Sequence, residues 1–314
     1  MNEIVERIER QSGVPGLVSI LAERLSPTDL QSLLLEVYRQ RSSQRQPAEV
    51  LANYGTDRFV HPSSVSPAHL LAWEQIAFSE LPPGFELLAL SPVCPLGSSS
   101  VVAGVDQNWA VATARNTEVV SDSTNVLALE CALRRRELLR ADSKSADPVH
   151  LATSHRLLRG QHYKGPGLLS HFHTFALCSA GRDQGNLRFE FSALSMQIRF
   201  YLKALRSFLG SGIVLRLTVT DFSPHPRYLL LDSQLLSPVR SEFEAVECGV
   251  DEQRTAGRGY YSDVCFHIHA IKPPGRSLEL VDGGSVNWTQ RLLSDAKERL
   301  IIGGIGSERL CTEF

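Results

Sequence analysis

The chain has 314 residues, 43% of them hydrophobic and 21% charged, with a formal net charge of -2. That balance places it among soluble globular proteins able to bury a sizeable core, as one large domain with an appendage or as two domains. It gives no global pull toward nucleic acid or anionic membrane, so any basic site has to be local.

From the N-terminus to about Tyr54 the pattern is helical. Ile4, Val5 and Ile8 share a face, Leu17, Ile20, Leu21 and Leu25 continue the spacing, and Ser26-Pro27-Thr28-Asp29 supplies a cap with proline in the first turn. LQSLLLEVYRQ follows with Leu30, Leu33, Leu34 and Val37 as its apolar stripe, and RSSQRQPAEV reads as a polar surface turn. Residues 1–60 are therefore expected to form a helical appendage with a packing or partner-docking role, ahead of a core spanning 61–314.

SPAHLLAWEQIAFSEL is a capped amphipathic helix, and PPGFELLALSPVCPLG a glycine-led strand ending at Pro92. VVAGVDQNWAVATARNTEVV predicts two short strands across a turn at 105–108, before the helix STNVLALECALRRRELLRA. On that helix Arg134, Arg135, Arg136 and Arg140 make a basic face of the kind usually left in solvent.

After a polar loop at 143–148, residues 155–182 read as a long β-hairpin. An arginine-bearing strand leads into turn formers (Gly160, Lys164, Gly165, Pro166, Gly167) and a returning strand with Phe172 and Phe175. Such a hairpin is often a plain surface ribbon. Guanidinium groups held on one nevertheless suit an anion, phosphate above all, because arginine offers a planar fork of donors that stays charged when partly desolvated.

Beyond the hairpin, 189–209 is a helix stopped by Gly210, and GIVLRLTVTDF is a β-branched strand. Residues 223–255 are mixed, with PRYLLLDSQLL read as an edge pair. GRGYYSDVCFHIHAI alternates cleanly, LELVDGG is a short strand, 285–298 is a helix, and RLIIGGIGSERL closes as strand, glycine turn and helix start. Strands in hairpins with helices falling between them predict an α+β fold on a largely antiparallel sheet. The chain has neither a GxGxxG after a first strand nor a GxxxxGKS, which argues against Rossmann and P-loop folds.

Cys94, Cys131, Cys178, Cys248, Cys265 and Cys311 form no CxxC pair, so reduced thiols in a cytoplasmic protein are expected. The start, MNEIVERIERQ, carries charges where a signal peptide needs an apolar run, and no stretch has the length of a membrane span. Cys265, His267 and His269 share one face of a strand. Two histidines two apart can both ligate zinc, but further ligands are not specified, and the group reads as pocket lining, with no metal site predicted.

Several separated pieces, in order, resemble the class II aminoacyl-tRNA synthetases. GFELLALSP, with Gly84 and Pro92, is similar to the motif 1 segment that builds the dimer interface. The hairpin is similar to motif 2, and GGIGSERL, with Arg309, to motif 3. AGRGYYSDVCF, LVDGGSVNWTQRLL and ARNTEVVSDST resemble the RGLDYY, GGGRYDGL and LRPEGT segments of the histidyl-tRNA synthetase branch.

The resemblance implies ATP with Mg²⁺, a homodimer, and adenylation of a carboxylate by positioning and charge stabilisation. Arg159 or Arg156 would meet the α-phosphate, Arg159 lying nearer the family spacing, and Arg309 the γ-phosphate. Phe172 or Phe175 would floor the adenine, and Gly303, Gly304 and Gly306 would let backbone approach the nucleotide. Glu118, Thr117 and Thr124 would hold a substrate amine.

The departures are as informative. Thr174 and Cys178 stand where the branch has the Gln and Glu that read histidine. Ala256 and Gly259 replace its Arg and Asp, although Tyr260 and Tyr261 remain and Arg254 or Arg258 could substitute. Ser285, Val286 and Asn287 replace GRYD, and Gln161 or His162 stands for the motif 2 Glu. A pocket stripped of its polar partners loses most of its affinity for the ligand it was built around, so histidine is not the expected substrate.

The chain reaches Phe314 soon after Arg309, where a synthetase continues into an anticodon-binding domain, so tRNA charging is not expected. Two readings follow. One is a stand-alone ligase that adenylates an amino acid or other small carboxylic acid for a non-tRNA acceptor. The other is an inactive paralog serving as a regulatory or binding subunit with a protein partner, like the regulatory subunit of ATP phosphoribosyltransferase.

Overall fold

The computed structural model describes residues 3–162 and 170–314; the turn formers Lys164, Gly165, Pro166 and Gly167 lie outside the described residues. The chain begins with helices α1 (Glu3–Ser12), α2 (Leu17–Ser19), α3 (Pro27–Ser43) and α4 (Pro47–Thr56). Ser26 Oγ accepts from the Asp29 amide at 3.1 Å and so caps α3, satisfying a donor the helix cannot. The expected polar turn is shorter than its sequence: Pro47 opens α4, where Glu49 accepts from the Gln46 amide at 3.1 Å in a capping box. None of these four helices contains a buried residue.

Helix α5 (Pro67–Ser79) buries Trp73 and Ala77. Strands β1 (Phe85–Leu87), β2 (Val93–Pro95) and β3 (Thr117–Val119) follow, then α6 (Ser123–Ala141), the hairpin β4 (Val149–Leu158) and β5 (His171–Arg182), and α7 (Arg188–Leu209). Next come β6 (Val214–Asp221), α8 (Tyr228–Leu231), α9 (Ser237–Glu242), β7 (Val246–Val250), β8 (Val264–Lys272) and β9 (Arg276–Val286). The chain closes with α10 (Trp288–Leu293), β10 (Glu298–Ile305) and α11 (Ser307–Glu313).

Eight strands form one sheet in the order β1-β4-β5-β10-β9-β8-β6-β7. The six inner strands pair antiparallel, and only the edge strands β1 and β7 pair parallel. Both faces are covered. Phe175, Leu177, Phe266 and Ile301 pack with α5 and α7, while Ala176, Cys178, Leu300 and Ile302 pack with α6 and α10. The alternation of neighbours along β5 and β10 is the period-2 geometry of a strand buried on both sides.

Several expectations are corrected. No strand forms over 98–102; that stretch is a helical turn, and β3 pairs instead with β2. Gly97 enters the turn at φ 91° and the buried Glu118 carboxylate accepts from the amides of Gly97 and Ser99, holding the loop closed. The strand in GFELLALSP reduces to β1. PRYLLLDSQLL is helical, because Leu231, Leu235 and Leu236 turn inward together while Leu229 is 90% exposed.

The helix expected at 285–298 is only α10: Ser285 and Val286 extend β9, and Glu298 opens β10. Gly303 and Gly304 lie within β10 rather than in a turn. Arg135 leaves its solvated neighbours and is fully buried against Glu298. No helix among the described residues is long and apolar enough to cross a membrane.

Candidate functional site

At one end of β4, β5, β10 and β9, under the N-terminus of α6, lies a cavity of about 580 Å³. Its wall includes Arg159, Phe172, Thr174, Tyr260, Tyr261, Gly304, Gly306 and Arg309, together with Asp122, Asn125, Glu279, Asp282 and Glu308. Residues remote in sequence meet here because β10 is sandwiched between the hairpin strand β5 and β9, and α11 begins where β10 leaves the sheet.

Arg309 sits in the first turn of α11. Its neighbour Glu308 is buried and fixes that turn, accepting from the His173 amide at 3.1 Å, lying 3.0 Å from Arg156 Nη1, and bonding Ser63 Oγ. Trp73 Nε1 donates to Ser307 Oγ at 2.9 Å from the same side. Arg309 itself is exposed, and its guanidinium makes no hydrogen bond or ion pair among the described residues. A cation on a rigid helix turn at a cavity wall offers its donors to whatever enters.

Arg159 is held differently. Its Nε donates to the Ser121 carbonyl oxygen at 2.8 Å, its Nη2 lies 3.1 Å from Asp122 Oδ2, and its guanidinium covers the Phe172 ring at 5.1 Å. Asp122 also caps α6 by accepting from the Thr124 amide at 2.9 Å. The ring of Phe172 is thus already stacked from one side, a cation–π contact.

The register decides which other expected residues reach the cavity. Thr174 does, and its hydroxyl lies 3.0 Å from Ser123 Oγ. Tyr260 and Tyr261 do, packed edge to face against each other at 5.0 Å. Phe175 does not: one residue along from Thr174, it faces the opposite core and stacks on Phe200 at 5.4 Å. Arg156 likewise lies on the far face, with Glu308 and with His171 Nδ1 at 3.0 Å.

Cys178 is fully buried beneath α6, where its thiol donates to the Thr124 carbonyl oxygen at 3.7 Å and burial pushes its pKa well up. That is an inert core thiol, away from the wall. Arg254 and Arg258 also stay off the wall: Arg254 pairs with Asp282 at 3.1 Å, and Arg258 lies over Phe222 at 4.9 Å.

Of the three residues expected to hold an amine, Thr124 lines the cavity and the other two do not. Glu118 is fully buried and its oxygens accept from Gly97 N, Ser99 N, Ser99 Oγ and Gln107 Nε2 at 2.7 to 3.1 Å. Desolvation raises its pKa and these bonds together lower it further, leaving a depressed carboxyl whose acceptor sites are filled. Thr117 bonds Thr113 at 2.7 Å. Neither lines the cavity.

Asn125, which no motif singles out, is 2% exposed, lines the cavity, and has an Oδ1 without a hydrogen-bond partner among the described residues. A buried orphan acceptor in a cavity wall is a place for a ligand's donor. Its only sequence signal is its position in the first turn of α6.

Asp122 and Glu308, two of the four carboxylates in the cavity wall, do not offer the open set of oxygen ligands that a Mg²⁺ ion takes in near-octahedral geometry. Asp122 is used by Thr124 and Arg159, and Glu308 by Ser63, His173 and Arg156. No step through Mg²⁺ is derived.

The largely antiparallel sheet flanked by helices is similar in fold to the class II aminoacyl-tRNA synthetase core seen in several solved structures. A structure described as an ATP phosphoribosyltransferase regulatory subunit/histidyl-tRNA synthetase from Bacillus halodurans matches with a TM-score of 0.59 at 11% identity, over 80% of this chain and 81% of that one. The apo histidyl-tRNA synthetase of S. aureus matches with a TM-score of 0.56 at 13% identity, over 80% of this chain and 68% of that one. A threonyl-tRNA synthetase structure from Cryptosporidium parvum matches with 0.52 at 11%, over 80% and 68%. No protein-family model and no curated protein matches the chain.

Proposed function

We propose that the chain is a class II synthetase-like binding protein. In this reading it holds a small anionic ligand in the cavity and acts as a regulatory or binding subunit rather than as an adenylating ligase. The observation that carries the reading is the commitment of Arg159 to Asp122 and the Ser121 carbonyl. A guanidinium whose charge is already met by a carboxylate has less of it to offer to charge developing at phosphorus. Arg309 has no such tie and supplies the anion's partner, while Asn125 Oδ1 accepts from a donor on the same ligand. The resemblance in fold to a protein described as a regulatory subunit supports the same reading.

The test pairs calorimetric titration of nucleotides, amino acids and small carboxylic acids with an acid-dependent pyrophosphate exchange assay. Binding without exchange is expected, weakened about tenfold or more in Arg309→Ala, the size of a lost hydrogen bond to a charged group. The ligase reading is favoured by one observation, that Arg159, Phe172, Gly304 and Arg309 share a single cavity. Exchange that needs a particular acid and disappears in Arg309→Ala would establish it instead.

A further inference from the structure

Beside the cavity, on β8 and β9, is a cluster that the binding proposal does not use. His267 and His269 are two apart on β8 and point to one face, their ring centroids 5.5 Å apart. Across from them β9 carries a bulge: Ile268 pairs with Val281, but His269 pairs with Glu279, so one residue of β9 is skipped. Had the pairing run on in regular register, Leu280 would oppose His269 and Glu279 would oppose Ala270, facing away from the histidines; the bulge turns it toward them. One ligand atom from each of His267, His269 and Glu279 then lies within 4.8 Å of the others.

We propose that His267, His269 and Glu279 bind one divalent cation of the zinc type. Three further observations point the same way. His267 Nε2 faces two carboxylates at once, Glu279 at 3.7 Å and Asp282 at 3.2 Å. His269 Nδ1 is buried with no partner among the described residues, and its ring packs edge to face on His267. The nearby cations are already matched, Arg254 to Asp282 and Arg216 to Glu247 at 2.7 Å, so the cluster carries no unopposed positive charge.

A single cation answers both the crowding of carboxylates and the orphan nitrogen. Two imidazoles with a carboxylate suit zinc and its neighbours, whereas calcium and magnesium prefer oxygen throughout. Glu279 and Asp282 also line the cavity wall, so a cation with three protein ligands keeps its open position toward the cavity. Asp282 Oδ1 lies 3.2 Å from that same His267 Nε2, within reach of the cation as a fourth ligand once it gives up Arg254.

The whole chain, stripped with a chelator and dialysed, is titrated with Zn²⁺ against a chromogenic chelator, and with Co²⁺ followed by visible absorption. One equivalent is expected to bind, with affinity reduced roughly a hundredfold or more in His269→Ala and Glu279→Gln, and about 10- to 100-fold in Asp282→Asn. Glu279 is exposed, so Glu279→Gln decides the matter if His269→Ala does not fold. Failure to bind stoichiometric Zn²⁺, unchanged affinity in Glu279→Gln, or a thiolate charge-transfer band with Co²⁺ would overturn the proposal. None of these outcomes depends on what the cavity binds.

Discussion

Strand β10 connects two arginine sites that differ in almost every respect. Beside its first residue, Arg135 of α6 is fully buried. It makes two bonds to Glu298 at 2.8 Å and donates to the Ser145 and Asp147 carbonyl oxygens at 2.9 and 2.6 Å. Just past its last residue, Arg309 stands exposed at the cavity, its guanidinium without a partner among the described residues. A guanidinium whose fork is filled by the protein holds the fold together, because removing it strands a buried carboxylate. One whose fork is unfilled adds little to folding and is available to a ligand. Arg159, tied to Asp122 yet lining the cavity, stands between the two.

The largest expected effect breaks the closed end. Arg135→Ala should lower stability by about 3 to 5 kcal/mol in denaturant unfolding, since Glu298 is left buried with only a 3.5 Å contact to Arg182; a loss below about 1 kcal/mol would remove the contrast. A similar loss, about 3 to 5 kcal/mol, is expected for Phe175→Ala, which empties a core position and leaves ligand binding intact. Phe172→Ala should do the reverse, weakening binding more than folding. If Phe175→Ala instead abolished binding in a still-folded protein, its placement in the core would be untenable.

Two adjacent glycines sharpen the comparison further. A Cβ on Gly303 would stand 2.8 Å from Gln197 Oε1 and 3.1 Å from the Tyr201 ring, whereas one on Gly304 meets nothing within 4 Å. Gly303→Ala is therefore expected to cost about 1 to 3 kcal/mol through overpacking. Gly304→Ala should be neutral in melting, and Gly304→Leu should block the cavity, a difference that titration alone can read. Arg309→Ala should change stability by no more than about 0.5 kcal/mol, the range of an ordinary surface substitution.

The smallest effect concerns pH. Burial lowers the pKa of His150, His155, His173 and His269 below the ordinary value of 6.5. The unfolded chain then binds more protons than the folded one once the pH drops below that value. Stability should be complete above about 6.5 and fall as the pH moves down toward the depressed values. Unfolding midpoints measured from pH 7.5 to 5.5 check the sign, and a rise on acidification would contradict it.

Much of the architecture was written in local signals. Ser66-Pro67 marks the start of α5, Gly210 the end of α7, and the β-branched run before Asp221 a strand, each readable because cap, stop and alternation act within a few residues. The ordered motif resemblance made the antiparallel core legible as well. Signals failed where a distant partner overrode them: the leucines of PRYLLLDSQLL fit a strand until the core takes Leu231, Leu235 and Leu236 together, and Val101 and Val102 fit one until Glu118, holding the amides of Gly97 and Ser99, closes a helical turn around them.

The candidate site divides in the same way. Sequence alone pointed to Arg159 or Arg156, to Arg309 and to the glycines before it as parts of motif-like segments, because those patterns are contiguous. Only the folded chain decided that Phe172 and Thr174 face the cavity while Phe175 does not, that Glu118 is spent on its own loop, and that a bulge turns Glu279 toward two histidines. Side-chain direction in a sheet reverses with every residue, and a one-residue change in register reverses it again. Facing is therefore a property of the pairing between strands, which no single strand carries in its own sequence.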